Sequence, residues 1–117
     1  MKLYHYPNCS TCKKAIKYLA EVGKEAELID IAAAPPSTDE LLTMLSNYNG
    51  ELKRLFNTSG QLYRQLEIKD KLSEMSTEDA LALLADNGML VKRPFLLVDS
   101  DVGRVGFKPD EWDTILK

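Results

Sequence analysis

Both cysteines of the chain sit three residues apart in Cys9-Ser10-Thr11-Cys12, directly after the apolar run Leu3-Tyr4-His5-Tyr6. A helical pattern begins at once after them: Ala15, Ile16, Leu19 and Ala20 form an apolar face, and Gly23 follows as a stop signal. A second strand pattern, Ala26 to Ile31, comes next. This order constrains the fold more than any other feature. A strand, a helix and a second strand make a βαβ unit, whose two strands are parallel and joined by a right-handed crossover. The cysteine pair then falls at the junction of strand and helix, where Cys-x-x-Cys becomes a redox hypothesis.

The junction suits thiol chemistry for two reasons. Residues i and i+3 in a first helical turn lie roughly 5–6 Å apart at Cα, within the span of a disulfide. The start of a helix also offers free N–H groups and the positive end of the dipole, which favour a thiolate. Lys13, Lys14 and Lys17 add positive charge nearby. Cys9, at the start of the helix, is expected to be the nucleophile, and Cys12, one turn in, the resolving thiol. Two other readings stay open at this point: a pair of unrelated buried thiols, and a zinc site. Zinc is short of ligands, because the two cysteines and the single His5 supply three where structural sites use four.

Further along, Pro35-Pro36 interrupts the chain and Ser37-Thr38-Asp39-Glu40 reads as a capping box, with Leu41, Leu42, Met44 and Leu45 on the following helix. Asn49-Gly50 ends that helix. Glu51 to Phe56 reads as a short helix, Asn57 to Gly60 as a turn, and Gln61 to Leu66 as helix again. Ser76 caps a helix over Thr77 to Asp86, with Leu81, Leu83 and Leu84 inward and Asn87-Gly88 as its stop. Phe95 to Val98 is a strand introduced by Pro94. A turn at Ser100 to Gly103 returns it as a hairpin into Arg104 to Phe107. Pro109 fits a first helical position, followed by Asp110 and Glu111, and Trp112, Ile115 and Leu116 dock the last helix. The expected architecture is therefore α/β: a thioredoxin-like βαβ–ββα domain spanning residues 1–117, with a helical insertion at about 36–88 between strands 2 and 3. A net charge of −3 gives no reason to expect direct nucleic-acid binding. With neither a long apolar run nor a signal-peptide pattern, the chain is expected in the cytoplasm and away from membranes. In that compartment a close cysteine pair is more often catalytic or redox-sensing than a structural staple.

These residues together resemble the arsenate reductase and Spx group of thioredoxin-fold proteins over nearly the whole chain. The resemblance is carried by Tyr4-His5 and Pro7 ahead of Cys9-Ser10-Thr11-Cys12-Lys13, by Phe56-Asn57-Thr58, by Lys92-Arg93-Pro94, and by Val105-Gly106-Phe107-Lys108-Pro109. It implies that Cys9 is the nucleophile, that Arg93 faces the thiolate or an oxyanion, and that Pro94 is a cis-proline opposite the cysteine loop. His5 resembles a histidine near that loop. The residues alone leave open a trans-proline at a strand start, a salt-bridged surface arginine and a structural histidine.

Two departures separate the branches of the group. The reductases surround the nucleophile with arginines, whose forked guanidinium suits an oxyanion. Here Asn57-Thr58-Ser59 lacks one, with Arg64 as a substitute further along, and Lys108 stands at another such position. Lys13 and Lys108 are then the expected helpers of Arg93 and Pro94 in holding an oxyanion or disulfide substrate. Cys12, where the reductases tend to have serine, implies an internal disulfide. The resemblance thus implies an arsenate reductase-like thiol-redox protein that needs no metal or organic cofactor, reduced by glutathione or by the glutaredoxin or thioredoxin system. The alternative is an Spx-like redox-switched regulator that binds the C-terminal domain of the RNA polymerase α subunit, with Gly50 at that contact. Gly50 also reads as a plain helix stop. The sequence ends just after its last helix, without the basic extension of the best-known regulators, which makes the regulator the second expectation. A glutaredoxin-like general oxidoreductase is the third.

Overall fold

The computed structural model describes residues 1–116. Strand β1 (Lys2–His5) lies inside the sheet because both of its central side chains are apolar: Leu3 is buried on one face and Tyr4 on the other. It pairs parallel with β2 (Glu27–Asp30), placing Lys2 opposite Glu27 and His5 opposite Asp30. On its other side it pairs antiparallel with β3 (Phe95–Leu97), which pairs antiparallel with β4 (Gly103–Val105). The sheet order is β2-β1-β3-β4. The parallel pair and the terminal hairpin are those expected from the pattern of the chain.

Strand alternation divides the core into two layers. Leu3 and Leu96 meet α1 (Ser10–Glu21) through Ala15 and Leu19, and meet α6 (Pro109–Leu116) through Trp112 and Leu116. Tyr4, Phe95, Leu97 and Val105 face the opposite layer, built on α2 (Thr38–Ser46) and α5 (Thr77–Asp86). Between those two helices run a 3-10 turn at Leu52–Leu55, the short helices α3 (Gln61–Gln65) and α4 (Ile68–Lys71), and a 3-10 turn at Leu72–Glu74. This is the helical insertion. Expected as a helix, the stretch Glu51 to Phe56 makes only the 3-10 turn, and α4 falls where the sequence pattern gave no assignment.

Local signals set the helix ends. The Ser37 hydroxyl accepts the Glu40 N–H at 3.1 Å and the Glu40 carboxylate accepts the Ser37 N–H at 3.0 Å, completing the capping box. Ser76 caps α5 through the Asp79 N–H at 3.1 Å. Buried stripes are narrower than the composition of the helices implied. In α1 the stripe is Cys12, Ala15 and Leu19, and Ala20 is exposed because five residues carry it about 140° round from Ala15. In α2 the stripe is Leu41, Met44 and Leu45, leaving Leu42 53% exposed. Leu83 flanks the α5 stripe and is only partly buried. Gly88 does more than stop a helix: a Cβ there would lie 1.8 Å from the Ile31 carbonyl oxygen, so the insertion packs against the end of β2 only through a glycine.

Candidate active site

The cysteine loop is built by short-range hydrogen bonds. After β1 the chain turns, and the Cys9 N–H donates to the Tyr6 carbonyl at 3.0 Å. Cys9 is the N-cap of α1 in extended conformation, and its sulfur accepts the Cys12 N–H at 3.3 Å. A residue type rarely used as a cap thereby places its Sγ on a free helix N–H. Cys9 is partly exposed and Cys12 fully buried; both are free thiols. That asymmetry matches the one expected from their order in the chain.

The two thiols are driven apart electrostatically. Burial is the largest influence on Cys9 and opposes its ionisation. The hydrogen bonds from the Cys12 thiol and N–H, then the charge and N–H of Arg93, outweigh it, so the Cys9 thiol sits below its ordinary range. Cys12 is pushed up, first by burial and then by hydrogen bonding to and repulsion from Cys9. One thiol is thereby made more acidic and the other less. The charge acting on Cys9 is that of Arg93, from the far end of the chain, rather than the lysines of α1.

Arg93 is held without a carboxylate. Its guanidinium lies over the Tyr6 ring, 5.4 Å from the centroid, and its Nη1 donates to the Met89 sulfur at 3.5 Å. The Arg93–Pro94 peptide bond is cis and Pro94 is buried, the geometry that the resemblance implied. The Pro94 carbonyl accepts the Gly106 N–H at 2.9 Å. Gly106, at φ +72°, accepts the Trp112 indole N–H at 3.2 Å. These bonds tie the Arg93 segment to the loop carrying Lys108.

A second backbone zipper brings in a residue the sequence reading missed. Phe56 and Val91 form an isolated bridge, the Asn57 N–H donates to the Leu90 carbonyl at 2.7 Å, and the Lys92 N–H donates to the Leu55 carbonyl at 2.8 Å. Arg54 is thereby set beside Arg93. Arg54, Lys92, Arg93 and Lys108 line one open cleft of about 400 Å³, together with Thr11 of the cysteine loop. A second cleft of about 330 Å³ lies on another side of Arg93, lined by Asn57, Gln61, Gln65 and Met89, with Arg93 its one charged wall.

The predicted site residues separate accordingly. Cys9, Cys12 and Arg93 come together at the junction, Pro94 follows Arg93 through the cis bond, and Lys108 lines the cationic cleft. Lys13 is exposed on α1 and lines neither cleft. Arg64 is exposed on α3 and also stays out of both; Arg54 stands where Arg64 was expected to substitute. His5 is partly exposed at the end of β1, outside both clefts. Gly50 lies in the loop after α2 at φ +81°, exposed, with open space where a side chain would be. Among the described residues no three His, Cys, Asp or Glu side chains converge as metal ligands, and no helix is long and apolar enough to cross a membrane. The sequence held a signal for Lys92, which adjoins Arg93-Pro94. For Arg54 it held none beyond a cation two residues before Phe56.

Comparison with known proteins is consistent with this geometry. The sequence profile of the ArsC family matches residues 4–115. The Bacillus subtilis protein YusI is 48% identical over 113 residues, which is 97% of this chain and 95% of that protein. The global transcriptional regulator Spx of Streptococcus pyogenes is 29% identical over 109 residues, covering 93% of this chain and 79% of the regulator. The crystal structure of a possible arsenate reductase from Streptococcus mutans superposes with a TM-score of 0.87 at 40% identity, over 96% of each chain.

Proposed function

We propose, from the premise that this chain belongs to the ArsC family, that it is a thiol-dependent oxidoreductase of the cytoplasm working through Cys9 and Cys12. The observation that carries this reading is the opposed tuning of the two thiols across one helical turn, with Arg93 over the more acidic one. In the first step the Cys9 thiolate bonds to the electrophilic atom of an oxidised substrate and displaces a group from it. A protonated oxygen leaves an oxyanion as water, or one half leaves a disulfide as thiolate, while the cations of the cleft balance the negative charge. Once Cys9 is bonded, its charge and its acceptance of the Cys12 hydrogen bond are gone, and these are two of the influences that keep Cys12 protonated. Cys12 then attacks the Cys9 sulfur and its proton passes to the leaving group. The Cys9–substrate bond breaks, and the substrate leaves carrying two more electrons. The product is a Cys9–Cys12 disulfide, which glutathione or a thioredoxin- or glutaredoxin-class dithiol reduces.

The test is direct. Alkylation of Cys9 followed against pH should place its thiolate below the ordinary cysteine range, near pH 8.5. Mild oxidant should give an intramolecular disulfide, and turnover should be seen with arsenate or a small disulfide and an external thiol. An ordinary Cys9 pKa together with no disulfide would sink the redox reading. Arsenate in particular is favoured by the arsenate-reductase-like neighbour; no arsenate turnover, with disulfide turnover intact, removes that substrate alone.

A second reading has two observations in its favour. Gly50 is exposed with nothing within 4 Å of the place a side chain would occupy, and the Spx relative aligns over most of the chain. On that reading the disulfide state governs contact with the RNA polymerase α subunit. Because φ is +81°, Gly50→Arg strains the loop as well as blocking a contact, so Gly50→Asn, which tolerates positive φ, is the control. Binding lost equally in both variants, or absent in both redox states of the wild type, ends this reading.

A further inference from the structure

The cationic cleft has room and charge for more than a bare oxyanion. A tetrahedral oxyanion occupies the room of a few waters, at about 30 Å³ each, whereas the cleft offers about 400 Å³. Sites of ~300–1,000 Å³ take whole small molecules. Four cations line it, Arg54, Lys92, Arg93 and Lys108, and no carboxylate does. Among the described residues the ion pairs are Lys2–Glu40 and a stretched Arg54–Glu51 contact at 4.0 Å, so the charge of the cleft is left almost unneutralised within the protein.

Three of these cations also rest on a neighbouring ring or glycine. Arg54 stacks over the Tyr48 ring at 4.6 Å and Arg93 over Tyr6. The Lys92 stem lies over Gly106, where a Cβ would come within 3.4 Å of its Cε. Aromatic and glycine supports fix the side chains without spending their charge. Thr11 joins this cleft to the cysteine loop, and Arg93 reaches from it to Cys9.

We infer that the cleft receives the anionic body of a small-molecule disulfide whose thiol carrier bears two or more acidic groups, with its sulfur delivered to Cys9. This rests on the reading of Cys9 as the nucleophile. The Cys9 thiolate attacks one sulfur of the disulfide, forming a Cys9–carrier mixed disulfide and releasing the other half as a thiolate. Cys12 then attacks the Cys9 sulfur, releasing the second carrier thiol. The protein leaves as the Cys9–Cys12 disulfide, having supplied two electrons, and an external dithiol restores it.

The experiment measures the rate at which reduced protein forms its disulfide with dithiodisuccinate, 3,3′-dithiodipropionate, bis(2-hydroxyethyl) disulfide and cystamine. Each rate is divided by that of dithiothreitol with the same disulfide, which removes intrinsic reactivity. The expected order follows negative charge, with dithiodisuccinate about tenfold or more above the neutral compound at low salt and the gap closing as salt screens it. Arg54→Gln and Lys108→Gln should each lower the anionic-to-neutral ratio about threefold, while Arg64→Gln, outside the cleft, keeps it. Comparable normalised rates for all four disulfides would overturn the inference and leave the proposed function standing. So would inorganic arsenate protecting Cys9 from alkylation without any charge order among the disulfides. No reaction of Cys9 with any of them would overturn both.

Discussion

Two clefts on this molecule use the same kinds of side chain to opposite ends. The cleft beside β1 and α2, about 370 Å³, is lined by Lys2, Asp39, Glu40 and Asp99. Its Lys2 and Glu40 charges are used internally: Glu40 accepts the Tyr4 hydroxyl at 2.7 Å, the Lys2 ammonium at 3.2 Å and the Ser37 N–H at 3.0 Å. Burial alone would raise the Glu40 pKa, but those three donors hold it below the ordinary carboxylate range. At the Arg93 cleft the cations rest on rings, a thioether and a glycine, and the adjoining thiol is the group made more acidic. A satisfied network spends its charge on holding the fold. An unsatisfied one keeps its charge for something that arrives from solution.

The largest expected effect tests whether the chemistry is confined to one side. Cys9→Ser should lower thiol–disulfide exchange by at least about a hundredfold, whereas Glu40→Gln should leave the rate near wild type. Equal losses in the two variants would erase the distinction.

Next in size, Arg93→Gln removes the positive charge that favours the Cys9 thiolate, so its pKa rises toward the ordinary value. Between the lowered and ordinary values the thiolate fraction falls. Alkylation at pH 6 should slow about tenfold and recover by pH 9, as loss of a close positive charge requires. A loss that is uniform with pH would mean that Arg93 positions rather than polarises.

Smaller again is the stability effect at the paired cleft. Glu40→Gln weakens hydrogen bonds from three donors and should lower unfolding free energy by about 1–3 kcal/mol in urea titration. The sign with pH follows from the lowered folded pKa. The Glu40 contribution is complete above the unfolded value, near 4.3, and is lost as pH falls through the folded value. The acid-side fall in urea midpoint should therefore be shallower in the variant; an unchanged slope would show that Glu40 is not its source.

The smallest expected effect is the most telling for the comparison. Arg54→Gln and Lys108→Gln touch no strong ion pair and sit on the surface, so stability should change by less than about 0.5 kcal/mol. A loss of 2 kcal/mol by the same measure would make the cationic cleft structural, like its counterpart.

The parts of the site that could be read beforehand are those made by neighbours in sequence. Cys9 at the start of α1, Cys12 one turn inside it, the Ser37–Glu40 box and the Ser76 cap all depend on residues three or four apart. Apolar character alone does not place a residue in the buried stripe: Ala20 and Leu42 lie on apolar helices and face outward. Arg54 escaped for a different reason. The resemblance points to an arginine at Asn57 to Ser59 or just after, and the chain supplies one from the preceding 3-10 turn instead. Its place is set by the bridge between Phe56 and Val91.

By itself, then, the sequence determined the order of elements, the parallel pairing around the cysteine helix, and which thiol stands at the helix start. Hydropathy period, caps and turn residues act over a few positions, so they are written in the chain directly. The family resemblance already implied that Arg93 faces Cys9; only the tertiary structure decided that Arg54 would join Arg93 and Lys108 in one cleft while Lys13 and Arg64 would not, and that the cleft would lack a carboxylate. Those outcomes depend on where distant segments cross. Crossing is fixed by the packing of the whole sheet against its two layers, which no local pattern encodes.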